Sequence, residues 1–82
     1  MGVKELRDTF NLATEPDASA RKAFLDYKTQ GGVQYQILTF EGSFADGVAF
    51  SIKSNLIRPN GDPNMMARET GLLLLSQRQR PE

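Results

Sequence analysis

The 82-residue chain contains no cysteine, no histidine and no tryptophan. Without cysteine there is no disulfide and no thiolate metal site, and without histidine the commonest transition-metal ligand is missing. No metal and no cofactor is expected. Of the usual staples of a small fold, oligomerisation or docking on a partner is the one left open. A surplus of either charge is lacking too: ten Lys+Arg balance ten Asp+Glu, and each half of the chain lies within about one charge of neutral. Nucleic acids and acidic membranes recruit proteins through excess basic residues, so neither is an expected partner. Long apolar runs are also missing. The longest, Leu72 to Leu75, falls far short of the ~18 residues of a membrane span. The residues after Met1 are not those of a secretory signal, and Leu6 stands where a myristoylation signal has Ser or Thr. A cytoplasmic protein is expected, with residues 1–82 forming one domain, because single domains typically reach about 100–150 residues.

What is present is periodicity. Val3, Leu6, Phe10 and Ala13 recur at three- and four-residue steps, which predicts an amphipathic helix. Thr14-Glu15-Pro16-Asp17 interrupts it, and Pro16 suits the first turn of a new helix. Ala20, Ala23, Phe24 and Tyr27 then predict a second helix over 16–29, closed by Gly31-Gly32. From Val33 the period drops to two. Val33, Tyr35 and Ile37 alternate with glutamines, and Val48, Phe50, Ile52 and Leu56 alternate with mostly polar residues, so two strands joined by a loop over 42–47 are predicted. A symmetric loop makes paired residue numbers sum to about 89, placing Ile37 opposite Ile52 on the core face. Asp62-Pro63 reads as a cap followed by the first residue of a third helix, about 63–79. Gly71 opposes that helix by about 1 kcal/mol, and the competing reading makes 72–79 a third strand. The predicted fold class is therefore α+β, ordered α-α-β-β-α, with an antiparallel hairpin packed against two or three helices. The end of the chain, 77–82, reads as a polar tail.

The four leucines stand out. Successive helical residues turn by about 100°, so Leu72, Leu73, Leu74 and Leu75 cover nearly the whole circumference and cannot all face one small core. Some of them need a further partner. Phe44 lies in the predicted loop as a contact anchor, and the alternation that turns Ile37 inward turns Leu38, Phe40 and Ala49 outward beside it. Aromatic side chains at such places are favoured binding anchors. Leu72, Leu73, Leu74, Leu75, Phe44, Phe40 and Leu38 form the expected protein interface.

Catalytic chemistry finds little material. Ser51 and Lys53 share a strand face, the minimum for a Ser–Lys pair, but Gln34, Gln36 and Asn55 beside them describe a wet surface that would not depress a lysine pKa. Glu41 and Asp46 flank the loop as solvated acids. Asn60-Gly61-Asp62-Pro63-Asn64 lacks the spacing and distal Glu of a calcium loop, and the glycine pairs match no phosphate-binding fingerprint. A nucleic-acid platform would draw on Tyr35, Phe40 and Phe50 with Lys53, Arg78 and Arg80, against the neutral balance and against Tyr35 and Phe50 facing the core. Pro16, and acids beside the basic residues of 16–29, weigh against a helix-turn-helix. The expectation is a non-enzymatic accessory protein acting by protein–protein contact, with itself or a host protein, and self-associating through the leucine segment. Compact proteins of this kind also serve phages and mobile elements as virion components or inhibitors of host machinery, which is an association without a physical warrant.

Overall fold

Leu6, Phe10 and Thr14 recur every four residues and form the buried face of the first helix, α1 (Val3–Thr14), in a computed structural model that describes residues 2–78. The chain then runs as three strands, β1 (Ala18–Gln30), β2 (Val33–Phe44) and β3 (Ala49–Lys53), and ends in a second helix, α2 (Pro63–Arg78). The sheet is antiparallel in the order β1-β2-β3. The α+β class and the antiparallel hairpin hold. The order is α-β-β-β-α, however, and the predicted second helix is strand β1.

The cause of that difference is a β-bulge. Ala18 and Ala20 pair with Phe44 and Gly42, the register slips between Ala20 and Lys22, and Ala23 and Leu25 then pair with Phe40 and Leu38. The extra residue, Arg21, stretches one apolar step from two to three, so a period-two strand imitates helical spacing. Gly31-Gly32 closes this hairpin rather than a helix. Both glycines have positive φ, +59° and +77°, between Gln30 and its partner Val33, the backbone of a two-residue hairpin turn whose twist matches the strands.

The register of β2 and β3 also differs from the predicted one. Phe40, not Ile37, lies opposite Ile52, and Phe44 closes the turn by bonding Val48. The predicted loop began at Gly42, which is a strand residue paired with both neighbours. The shift reverses the faces of β2. Leu38 and Phe40 are fully buried, whereas Val33, Tyr35 and Ile37 belong to the opposite face. Ala49 is exposed, as expected.

Both helices cover the same face. Phe10 stacks on Phe40 with ring centroids 4.4 Å apart and on Phe50 at 5.9 Å, and Phe50 meets Phe44 at 5.3 Å. Ala18, Ala20 and Ala23 are the buried residues of β1 beneath α1, and their small side chains let the helix lie close. Gly71 does the same between the helices: a Cβ there would sit 3.0 Å from Thr14 Cγ2 and 3.2 Å from the Phe10 carbonyl oxygen. The glycine that opposes helix formation on propensity is what allows α2 to cross α1. Asp62 caps α2 by accepting the Asn64 N–H at 2.9 Å. The buried Thr14 hydroxyl lies 3.2 Å from the Phe10 carbonyl and 3.1 Å from that of Ala18, tying the end of α1 to the start of β1. Beyond Leu25 and Leu38 the hairpin outruns the helices, leaving Tyr27, Thr29 and Gln34 exposed although they share the helix-facing side. The molecule is correspondingly long, 43 × 28 × 18 Å.

Candidate functional site

Of the four leucines, now on a helix, Leu74 is buried and Leu75 is half-buried against the core. Leu72 and Leu73 remain 49% and 47% exposed. The circumference argument thus assigns the surplus to two residues. Across the outer groove between the helices, Leu72 is joined by Leu12, Thr9 and Ala13 of α1, with Arg68 at its side. Leu12 is 82% exposed. It sits two residues after Phe10, on the opposite side of α1, so its departure from the apolar pattern was readable in the sequence. Met65, also exposed, lies seven residues before Leu72 and hence on the same stripe of α2. These side chains make an apolar outer face on the helical layer.

The remaining interface candidates lie elsewhere. Leu38 and Phe40 are in the core, which corrects their predicted outward placement. Phe44 is half-buried against Phe50, and the Arg78 guanidinium covers its ring at 3.9 Å. Arg78 also pairs with the Asp46 carboxylate. Asp46 accepts the Val48 N–H at 3.1 Å. That bond is the main cause holding its carboxyl below the usual carboxylate range; desolvation opposes it and Arg78 adds to it. A folded-state pKa below the unfolded one contributes stability that is present above pH ~4 and is lost as pH falls through the folded value. The urea midpoint should therefore drop between pH ~5 and pH ~2, and drop less in Asp46→Asn. Identical pH profiles for the two proteins would show that the turn carboxylate contributes nothing.

The other constellations do not assemble. Ser51 and Lys53 share the exposed outer face of the sheet, opposite Glu41 and Thr39, without enclosure. Glu41 belongs to that face, while Asp46 serves the turn and Arg78. Asp62 and Asn64 are engaged in helix contacts: besides the cap, the Asn64 amide donates to Glu5 Oε1 at 2.9 Å. Among the described residues no group of three or more acidic side chains converges as a metal site, and no helix is long and apolar enough to cross a membrane. The aromatic residues of the nucleic-acid reading are divided. Phe40 and Phe50 join the core, while Tyr35 faces outward on the side of Lys53, and Arg78 is held at Phe44. Arg80, with the rest of 79–82, lies outside the described residues.

A second apolar feature escaped the sequence reading. Phe24 on β1 and Val33, Tyr35 and Ile37 on β2 occupy the sheet face opposite the helices, with Phe24 42% and Val33 39% exposed. Its signal was the Gly-Gly pair: once read as a hairpin turn, it makes the preceding segment a strand and puts Phe24 beside β2. No family model, curated protein or solved structure matches this chain.

Proposed function

We propose that this is a non-enzymatic protein that acts by contact with other protein chains and self-associates through the outer face of α1 and α2. The carrying observation is the half-exposure of Leu72 and Leu73 in a helix that already buries Leu74. Burying a leucine fully is worth ~1.5–3 kcal/mol, and roughly half of that is still unrealised at each of the two. Leu12 and Met65 extend the same face. A second copy suits it, because a two-fold contact brings a patch against itself. The polar surroundings offer both signs: Lys4 and Asp8 on α1 form an ion pair, and Arg68 and Glu69 stand side by side on α2.

Light scattering after size exclusion tests this. The wild-type mass should exceed that of one chain, and Leu72→Glu with Leu73→Glu should remove the corresponding association step. Because both side chains are already half in water, the urea midpoint of the monomer should change by no more than the equivalent of ~1 kcal/mol. A wild-type monomer, or an assembly indifferent to both substitutions, rejects the proposal.

A further inference from the structure

Strand β1 forms one edge of the sheet, and among the described residues no hydrogen-bond partner occupies its outer side over most of its length. Gln36 exchanges both backbone bonds with Ile57, at 3.1 and 2.8 Å, and the Leu38 carbonyl accepts from Ser54 at 2.8 Å. Their backbone groups therefore point away from β1. In an antiparallel ladder the residues opposite them, Tyr27 and Leu25, must then direct N–H and C=O outward, as must Ala23 and Thr29 by alternation. Towards the start of the strand this edge is closed, because the Asn11 side chain takes both the N–H and the C=O of Ala20, at 2.7 and 3.1 Å. From Ala23 onward no such plug exists among the described residues. An exposed edge of this kind invites another strand.

We propose that β1 pairs antiparallel with β1 of a second copy, centred on Tyr27, so that the two sheets become one. The side chains select that register. Pairing must set the outward-directed residues opposite one another, so the centre falls on a residue and not between two. A centre on Ala23 runs into the plugged Ala20 and one on Thr29 into the turn at Gly31, which leaves Phe24, Leu25, Asp26, Tyr27 and Lys28. A centre on Leu25 puts Lys22 against Lys28, and centres on Asp26 or Lys28 put each against its own copy. Like charges directly opposite are destabilising. A centre on Tyr27 sets Asp26 against Lys28 of the second copy, and Lys28 against its Asp26. None of these side chains has an ion-pair partner within its own chain among the described residues. A centre on Phe24 also matches Lys22 with Asp26, but it brings Lys28 onto Ala20, where Asn11 occupies the edge. It allows about four backbone bonds, against about six for the centre on Tyr27. The chosen register places the two copies of Tyr27, each 57% exposed, side by side at the middle of the contact.

This contact is independent of the helical face, and the two are separable in one series. With both in place the wild type should be larger than a dimer. Leu72→Glu with Leu73→Glu should leave a dimer held by the edges. Adding Asp26→Lys, which faces like charge against like, should yield a monomer, and adding Lys28→Asp as well should restore the dimer. If Leu72→Glu with Leu73→Glu gives a monomer at once, or a dimer indifferent to Asp26→Lys, the edge pairing is rejected and the helical reading is unaffected. If the leucine substitutions leave the wild-type mass unchanged, the helical reading fails, and the response to Asp26→Lys still decides the edge. The register has its own readout, because the chain lacks cysteine. Directly opposed, hydrogen-bonded residues have Cα atoms ~5.5 Å apart, within disulfide reach. Tyr27→Cys should oxidise to a covalent dimer and Phe24→Cys should not; the reverse result overturns the centring on Tyr27.

Discussion

Replacing Gly42 with alanine should abolish the folded state. A Cβ at this position would lie 2.0 Å from the Ser19 carbonyl oxygen and 2.6 Å from the Ala20 Cα. Both are backbone atoms of β1 at the bulge, held by the ladder on one side and by Asn11 on the other, so no side-chain rotation relieves the overlap. Glycine in a strand interior costs something in entropy and packing, and it is kept where another backbone comes this close. A clash that must displace backbone costs more than ~4 kcal/mol. That rivals the whole stability of a chain of this length, at ~0.05–0.15 kcal/mol per residue. Far-ultraviolet circular dichroism and urea titration of Gly42→Ala should show an unfolded or molten chain, with Gly2→Ala, which meets nothing within 4 Å, as the control. A cooperative transition at the wild-type midpoint would mean that β1 does not cross β2 as described.

The second large effect is expected at Phe10. Its ring is fully buried between α1 and the sheet, stacked on Phe40 at 4.4 Å and on Phe50 at 5.9 Å. Removing it should cost ~3–5 kcal/mol, combining lost transfer free energy with a cavity that the strands beneath cannot close. Two residues further along the same helix, Leu12 is 82% exposed, and Leu12→Ala should move the urea midpoint by the equivalent of less than ~0.5 kcal/mol. The contrast matters for function. If Leu12 proves as costly as Phe10 in the isolated chain, its side chain is not free to serve a partner.

Much of this architecture was legible because it depends on neighbours in sequence. The three- and four-residue steps of Val3, Leu6, Phe10 and Ala13 and the Asp62-Pro63 start are local signals, and both helices follow them, although Thr14 rather than Ala13 completes the buried face of α1 and Val3 is exposed. The stretch from Ala18 to Gln30, a strand with a helical pattern, departs from expectation for an equally local reason. One bulged residue at Arg21 makes the spacing of Ala20, Ala23 and Tyr27 helical on paper. The Gly31-Gly32 pair immediately before a strand pattern is the better guide, since such a pair between two runs is a hairpin signal.

The leucine surplus was also visible in advance, because an α-helix distributes consecutive residues around its axis whatever surrounds it. Which leucines are left over was not. Leu74 and Leu75 go inward and Leu72 and Leu73 outward because Gly71 meets α1 at Phe10 and Thr14, setting the rotation of α2. The same limit applies to β2, whose faces are both apolar: Val33, Tyr35 and Ile37 on one, Leu38 and Phe40 on the other. Composition alone leaves a chain without cysteine, histidine, net charge or a membrane-length apolar run, together with the local pattern of its helices and turns. The buried face of β2, the free edge of β1 and the outward leucines depend on contacts between segments distant in sequence. Such contacts follow from shape and burial across the whole fold, and periodicity within one segment carries no information about them.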